Sequence, residues 1–209
     1  MNKPASLMLA DVMRMFLSIQ YLRALAAMAV IWCHTYVQLG EMTGSTTESW
    51  FNGRSGVDLF FVVSGFIIWL TTYDRRIGPI EFWRLRMIRI VPLYWLATFA
   101  FVILLFSAPS LFDRLHLDFG HVVRSLMFIP HFDPFQPDLI YPLLEVGWTL
   151  NFEMFFYAVF GLCLVFRPAG RILAIGMVFA VLLVIGALLN LEHAVFITYS
   201  DPLLLEFIA

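Results

Sequence analysis

Charged residues are scarce in this sequence of 209 residues. Only 13% of the residues are charged and 61% are hydrophobic, whereas soluble domains are about a quarter charged and about half apolar. A chain of this composition has too little polar surface to face water on all sides, which excludes a soluble globular protein. The composition predicts an integral membrane protein with several spans.

Cysteines are few, and the histidines do not cluster in the sequence. The two cysteines, Cys33 and Cys163, both lie in apolar stretches, which excludes a disulfide or zinc-binding framework. Four histidines fall in polar connections without the spacing of metal ligands: His116, His121, His131 and His193. We therefore expect no metal site.

What the sequence has instead is long apolar runs. A helix needs about 20 residues to cross about 30 Å of hydrocarbon. Five runs approach or exceed that length: residues 17–39, 56–73, 92–110, 146–166 and 172–189. They predict an all-α bundle of five complete transmembrane helices. A sixth helix is predicted to begin at residues 202–209, and because no polar tail follows we expect a truncated C-terminus.

The arginines predict the orientation in the membrane. Five of them lie between the second and third runs: Arg75, Arg76, Arg84, Arg86 and Arg89. By the positive-inside rule this connection faces the cytoplasm, and the N-terminus is then cytoplasmic as well. Residues 111–145 form the longest outer segment, and a helical turn predicted at 122–128 is expected to lie against the membrane surface.

Two ionisable side chains interrupt the first run, in the stretch RALAAMAVIWCH between Arg23 and His34. On a helix with about 100° per residue, eleven positions return to within about 20° of the same face, about 16 Å further along the axis. The two side chains share one stripe but do not touch. They either line a passage through the protein, or Arg23 extends to the inner interface and His34 bonds a backbone carbonyl.

The arginine-rich connection contains a dense cationic group, Arg84, Arg86 and Arg89. Guanidinium groups suit phosphate binding, since they present several donors in a fixed geometry. Any cytoplasmic connection also collects basic residues that meet anionic lipid. The residues alone do not choose between lipid phosphates and nucleotide phosphates.

A carboxylate lies in the fourth run. Glu153 falls in the outer half of residues 146–166, where an ionised side chain is costly unless it is protonated or paired. A structural ion pair and a catalytic role both meet this requirement. In the second run, Ser64 and Gly65 suit close helix packing before they suit chemistry.

Taken together and in order, these stretches resemble the membrane acyltransferase 3 family. Arg23 and His34 match the family's pattern of an arginine, ten residues and a histidine. GVDLFFVVSGF at 56–66, RMIRIVPLYW at 86–95 and WTLNFEMFFY at 148–157 follow at the expected positions. Family members have about ten spans, so the resemblance implies that residues 1–209 are the N-terminal part of a single membrane-embedded acyltransferase domain.

The resemblance implies an O-acyltransferase of the inner membrane with a cytoplasmic N-terminus. Such an enzyme moves an acyl group, commonly acetyl, to a hydroxyl on the outer side. The donor is cytoplasmic acyl-CoA, a co-substrate rather than a permanently bound cofactor. The expected acceptor is a surface polysaccharide or a lipid-linked glycan. Membrane lipids are further expected partners, and nucleic acid is not.

The same resemblance gives the polar residues their roles. An acceptor hydroxyl needs a base, and neutral imidazole suits that task at neutral pH, so His34 is the candidate general base. Arg23, which orients the donor or holds a carboxylate, and Glu153 complete the candidate catalytic set. The candidate acyl-CoA contacts are Arg84, Arg86 and Arg89. A covalent acyl-enzyme on His34 or Ser64 stays open.

A transporter or channel is the alternative from another functional class. Arg23, His34 and Glu153 would then form a relay for protons or solutes across the membrane. Broken helices with paired Gly or Pro within spans would favour that alternative, and none is evident in this sequence. A non-catalytic membrane scaffold is a third interpretation, in which His34 would be replaceable.

Overall fold

The structure of the protein, a computed structural model, describes residues 5–43, 54–73, 77–108, 118–189 and 192–209. Every regular element in these ranges is helical. The α-helices are α1 Ala5–Thr43, α2 Arg54–Thr72, α3 Pro79–Ser107, α4 Phe119–Leu126, α5 Trp148–Cys163, α6 Pro168–Leu189 and α7 Ala194–Tyr199. Two 3-10 helices cover Glu145–Gly147 and Pro202–Ile208. The predicted all-α fold is confirmed.

Five helices in the described ranges are long and apolar enough to cross a membrane. Their apolar segments are Leu17–Tyr36, Ser55–Thr72, Pro79–Ser107, Glu145–Cys163 and Pro168–Leu189. This confirms the five predicted spans by length and composition. The residues predicted to begin a sixth span form the seven-residue 3-10 helix Pro202–Ile208.

The third span differs most from its prediction. The apolar run suggested a start near residue 92, whereas α3 begins at Pro79 and includes the arginines from Arg84 to Arg89. Proline fits the first helical turn because its missing N–H needs no partner there, and Glu81 in that turn complements the helix dipole. Hydropathy detects only the part of a helix that crosses hydrocarbon, so about three polar turns were assigned to a connection.

The chain divides into two compact units, residues 1–71 with 206–209 and residues 72–205. In the first unit small residues allow close packing. A Cβ added at Gly65 would overlap the backbone carbonyl of Phe207, and the rings of Phe61 and Phe207 stack with centroids 4.5 Å apart. This confirms the interpretation of Gly65 as a site of close packing.

In the second unit, α3 and α5 pack side by side and run in opposite directions. The Trp83 indole N–H donates to the carbonyl oxygen of Tyr157 at 2.9 Å, and Gly161 lies directly against Trp83. At the other end of the contact, a Cβ added at Gly147 would lie 2.8 Å from the ring of Tyr94. α5 therefore begins beside the middle of α3 and ends near its first turns.

The connection between α3 and α5 folds back along the second half of α3. Leu105, Val122 and Leu143 form a buried apolar cluster, and the Trp95 indole N–H donates to the carbonyl oxygen of Leu126 at 2.9 Å. Residues 105 and 95 are about 15 Å apart along α3. α4 therefore packs along α3, and its contact with the membrane surface stays a prediction.

α4 also begins earlier than the turn predicted at 122–128. It starts at Phe119 because the carboxylate of Asp118 accepts the backbone N–H of His121 at 2.6 Å. A side-chain acceptor at this position satisfies an N–H that has no partner inside the helix. The apolar pattern that predicted the turn does not register a cap of this kind.

Candidate functional site

The first candidate residues lie on α1, in the first unit. α1 is continuous from Ala5 to Thr43, so Arg23 and His34 occupy one helix with the predicted separation. Both side chains are half buried. They lie within the apolar segment Leu17–Tyr36, where each ionisable group costs about 2–3 kcal/mol on insertion scales.

A buried carboxylate and a phenol lie together on α5, in the second unit. Glu153 is 6% exposed and Tyr157 is 2% exposed. The Tyr157 hydroxyl donates a hydrogen bond to Oε1 of Glu153. The residues are four positions apart, which places them on one helix face one turn apart. Their hydrogen bond offsets part of the cost of burying the carboxyl group.

One arginine of α3 faces these two residues. The guanidinium carbon of Arg86 lies 5.3 Å from the ring centroid of Phe82 and 5.8 Å from that of Tyr157, within the range of cation–π contacts. Arg86 also interacts electrostatically with Glu153. A cation, a carboxyl group and a phenol thus meet between α3 and α5. We call Arg86, Glu153 and Tyr157 the arginine cluster.

The three arginines that the sequence presented as one group divide into two kinds. Arg84 and Arg89 are exposed, whereas Arg86 is half buried. Helical spacing explains the difference, since Phe82, which is 1% exposed, lies four positions before Arg86 and shares its face toward α5. Two of the predicted donor contacts are therefore free to meet a ligand, and the third is packed between helices.

The arginine cluster gives Glu153 a neighbour that the sequence did not predict. The sequence placed Glu153 in the half of its span away from the arginines. The structure places it beside Arg86, because α5 begins beside Tyr94 and runs back toward the start of α3. Tyr157 was not among the predicted site residues, and its spacing of four from Glu153 was the available signal.

A second buried arginine lies near the same end of α3. Arg171 is 5% exposed, and its guanidinium carbon lies 5.6 Å from the ring centroid of Phe160. Its Nη1 donates to Oγ1 of Thr72 at 3.3 Å. Since the ring centroids of Phe160 and Phe82 are 5.3 Å apart, one pair of aromatic rings supports both Arg86 and Arg171. No site role was predicted for Arg171 from the sequence.

Two histidines form a buried pair at the opposite end of α3, where Val122 packs against Leu105. Nδ1 of His121 lies 2.7 Å from Nε2 of His131, and the two residues are 1% and 5% exposed. The two histidines are ten positions apart in the sequence, and the structure brings them into contact. We call His121 and His131 the histidine pair.

A sharp turn after α4 brings the two histidines together. Phe128 has a φ of 57°. The N–H of Phe128 donates to the carbonyl of Ser125, and that of Ile129 to the carbonyl of Arg124, which is the pattern of a Schellman motif. A left-handed φ costs a non-glycine residue about 1–2 kcal/mol. The rings of Phe128 and Tyr94 pack together with centroids 4.8 Å apart. This contact offsets the cost of the left-handed φ.

Hydrogen bonds fix the tautomers of the histidine pair. Nδ1 of His131 lies 2.7 Å from the carbonyl oxygen of Ile129, which only accepts, so this nitrogen is protonated. In a neutral ring Nε2 of His131 then has the lone pair, and it accepts from Nδ1–H of His121. The remaining nitrogen, Nε2 of His121, therefore also has a lone pair. It is buried and has no hydrogen-bond partner among the described residues.

The surroundings keep the pair uncharged at neutral pH. Burial lowers the pKa of His121, and a charge on His131 would lower it further, while Asp133 and Asp118 act in the opposite direction. Burial also lowers the pKa of His131, with Arg124 lowering it and the bond to the Ile129 carbonyl raising it. Desolvation is the largest influence on both rings, since it disfavours the imidazolium form.

Metal binding is a separate question from the pairing of these rings. In the part of the chain that the structure describes, no three His, Cys, Asp or Glu side chains are grouped as metal ligands. The bond between His121 and His131 occupies one nitrogen of each ring. The expectation that the protein has no metal site stays a prediction.

Comparison with known proteins finds a family and several relatives. The sequence model of the family described as acyltransferase domain matches residues 16–207. The chain is 43% identical over 157 residues to the exopolysaccharide production protein ExoZ of Rhizobium meliloti strain 1021, an alignment that covers 75% of this chain and 49% of that protein.

A second relative is less similar to the chain, and the alignment covers a smaller share of it. The chain is 28% identical over 159 residues to the O-acetyltransferase OatA of Staphylococcus aureus strain NCTC 8325 / PS 47, covering 69% of this chain and 24% of that protein. The chain thus spans about half the length of the first relative and about a quarter of the second. No solved structure matches the chain.

Proposed function

The chain belongs to the acyltransferase domain family, and on that premise we propose that the protein is a membrane O-acyltransferase. It transfers an acyl group, acetyl in the simplest case, from cytoplasmic acyl-CoA to a hydroxyl of an extracytoplasmic polysaccharide or glycolipid. Two relatives support the reaction class, since their names state exopolysaccharide production and O-acetyl transfer. The multi-pass chain lies in the inner membrane with its N-terminus in the cytoplasm.

The distribution of charge along α3 supports the proposal best. The charged residues of α3 all lie in its first turns: Glu81, Arg84, Arg86 and Arg89. The stretch Ile90–Ser107 has no charged residue. It is about 27 Å long, close to the thickness of the hydrocarbon core. α3 therefore offers cations to an anionic donor at one membrane face and an apolar surface across the rest.

Arg84 and Arg89 are the proposed direct contacts of acyl-CoA. Both are exposed, so donor phosphates can reach their guanidinium groups without disturbing the packing of α3 on α5. Arg86 is held against Phe82 and Tyr157, and its Nε has no hydrogen-bond partner in the described part of the chain. That Nε is buried, so Arg86 contributes to donor binding by holding the first turns of α3 against α5, where Arg84 and Arg89 stay exposed. Glu153 holds Arg86 and Tyr157 on the donor side.

The acyl transfer needs only the donor, the acceptor and side chains of the protein, without a permanently bound cofactor. The acceptor oxygen attacks the carbonyl carbon of the thioester, the carbon–sulfur bond breaks, and the acyl group becomes an ester. His34 takes the hydroxyl proton and passes it to the departing thiolate of coenzyme A. Arg23, on the same stripe of α1, orients the donor or balances a carboxylate.

His34→Ala in the full natural protein tests this proposal. Membranes that contain the protein are supplied with radiolabelled acetyl-CoA on the cytoplasmic side, and label in extracytoplasmic polysaccharide is measured. Loss of the base should lower the rate by about 100-fold or more, with unchanged membrane insertion. Thr35→Ala is the matched control, because Thr35 is the next residue of α1 and is exposed. It should keep the parental rate.

Three other results would overturn parts of the proposal. Transfer by His34→Ala at close to the parental rate would show that His34 is not the base. Absence of label with the parent protein would exclude the acyltransferase reaction itself. Movement of a solute across the membrane without consumption of acetyl-CoA would establish the transporter alternative.

A further inference from the structure

The histidine pair has one hydrogen-bonding atom that the fold does not use. Nε2 of His121 has a lone pair by the tautomer argument, and it is buried without a hydrogen-bond partner among the described residues. Leaving a buried acceptor unsatisfied destabilises the folded state. Folded proteins rarely keep such atoms, and those that persist require an explanation such as catalysis or a bound group.

The neighbouring hydrogen bonds show that this lone pair is held in place. Ser125 donates from Oγ to the carbonyl of His121 at 2.7 Å, and it accepts the N–H of Leu143 at 2.8 Å. His131 is fixed by the carbonyl of Ile129. Rotation of the His121 ring would break its bond to His131. The bonds of Ser125 therefore hold the backbone at His121, and the bond to His131 holds the ring, so Nε2 of His121 has a defined position.

The position of the histidine pair indicates which substrate it meets. Val122, next to His121, packs against Leu105 near the end of α3. Leu105 is about 28 Å along α3 from Arg86. In the proposed orientation the arginine cluster lies at the donor side, and the histidine pair therefore lies at the side of the acceptor.

We propose that Nε2 of His121 accepts a hydrogen bond from a hydroxyl of a neutral carbohydrate acceptor, which makes His121 a positioning residue for the acceptor. This inference rests on the proposed function. A lone pair selects a ligand that donates a hydrogen bond, which excludes a carboxylate or fully ionised phosphate. A cationic ligand would lose its hydration in this buried environment, whereas a neutral hydroxyl loses little.

Movement of one ring gives the acceptor access to this atom. Phe135 packs edge-on against His121 with centroids 6.5 Å apart and an interplanar angle of 89°, and it is half exposed. Exposed side chains change rotamer within nanoseconds. On this proposal the acceptor reaches Nε2 of His121 when the Phe135 ring rotates away from the His121 ring.

Two substitutions at one position separate this role from a structural one. His121→Asn keeps an N–H near the place of Nδ1, so the bond to His131 can form, but removes the acceptor at Nε2. His121→Gln places an amide oxygen near Nε2, and that oxygen accepts at every pH. The control is His193→Asn, because His193 is exposed and caps α7 through Nδ1, a position that asparagine also caps well.

The full natural protein in membranes is assayed with acetyl-CoA and a neutral glucose tetrasaccharide as the acceptor. His121→Asn should raise the KM for the tetrasaccharide about tenfold, the loss of one hydrogen bond. The kcat and the KM for acetyl-CoA should stay within about twofold. His193→Asn should match the parent in all three constants.

The pH dependence supplies a readout that a purely structural role would not change. Protonated Nε2 cannot accept, so the parent's KM for the tetrasaccharide should rise as the pH falls through the pKa of the pair. The charged or titratable groups around His121 are His131, Asp118, Asp133 and Arg124, and all four stay in place in the variants. His121→Gln should show a KM that does not change with pH.

The outcomes distinguish this inference from the proposed function. If the parent labels its own extracytoplasmic polysaccharide but does not use the tetrasaccharide saturably, the carbohydrate role of His121 is wrong. An unchanged tetrasaccharide KM in correctly inserted His121→Asn, or equal losses of kcat and donor affinity, also overturns the inference. If the parent labels neither acceptor, the proposed function fails as well.

Discussion

The two ends of α3 accommodate polar side chains in opposite ways. At the end that contains the arginines, Arg86, Glu153 and Tyr157 bring together a cation, a carboxyl group and a phenol. At the other end, His121 and His131 form a neutral pair whose protons are placed by a backbone carbonyl. Both groups are packed against apolar side chains of the same unit.

The two ends differ in the interaction that compensates for burying polar groups: Coulomb attraction at the arginine end and directional hydrogen bonds at the histidine end. Coulomb attraction between opposite charges is long-ranged and tolerates approximate geometry, but each buried charge depends on its partner. A neutral hydrogen-bond network depends on which nitrogen has the proton, and on the angle at each acceptor. The arginine end therefore suits an anionic donor, and the histidine end suits a neutral hydroxyl.

Loss of Arg86 should lower the stability of the protein more than any other substitution considered for the two ends of α3. Arg86→Met keeps most of the apolar stem but removes the cation that interacts electrostatically with Glu153, which is 6% exposed. Removing one partner of a buried charged group costs about 3 kcal/mol, and a lower unfolding temperature in detergent should report it. Arg84→Met removes an exposed cation of the same helix and should change the unfolding temperature little. The expectation is wrong if both variants unfold at the same temperature.

Restoring neutrality at the arginine end provides a second measurement. Arg86→Met combined with Glu153→Gln removes both charges and keeps an acceptor for the Tyr157 hydroxyl. The double variant should regain part of the lost stability, because no uncompensated charge remains. Additive losses in the double variant would show that the two side chains are independent.

The exposed arginines of α3 should affect binding of the acyl donor. Arg84→Gln with Arg89→Gln should raise the KM for acetyl-CoA by about tenfold, from two surface contacts of about 0.5–1 kcal/mol each. Added salt should weaken donor binding in the parent more than in the variant. Arg124→Gln, an exposed arginine beside the histidine pair, is the control and should leave donor KM unchanged. Equal salt dependence in parent and variant would contradict the role of the two cations.

A smaller effect is expected from pH at the histidine end. Burial lowers the pKa of both His121 and His131, so below about pH 6.5 the unfolded chain binds protons that the folded chain does not. The free energy of unfolding should therefore fall as the pH drops through this range, by at most about 1.4 kcal/mol per pH unit for each proton, and level off below the folded pKa. Unfolding at a series of pH values measures it.

Variants at the histidines check the source of this pH dependence. The double substitution of His121→Asn and His131→Gln should remove most of the decline, because no buried imidazole remains to be protonated. His193→Asn, at an exposed histidine, should keep the parental curve. A decline of the same size in the double variant would assign the effect to other groups.

The class of the fold and the candidate residues of one helix could be predicted from the amino-acid sequence. Apolar runs of about 20 residues predict spans because the backbone must satisfy its own hydrogen bonds in hydrocarbon. The positions of Arg23 and His34 on α1 follow from helix periodicity alone. The packing role of Gly65 also followed from the sequence, since small residues mark close helix contacts.

Which polar residues contact one another depends on the tertiary packing of the helices. Arg86 lies beside Glu153 because its face of α3 packs against α5, which begins beside the middle of α3. A hydropathy profile does not show which face of a helix meets a neighbouring helix. The histidine pair depends on the left-handed turn at Phe128, a conformation that a non-glycine residue rarely adopts. Hydropathy and periodicity describe residues that are close in the sequence. The contacts of Arg86 and of the histidine pair join residues from separate elements, so they form only when the free energy of packing brings those elements together.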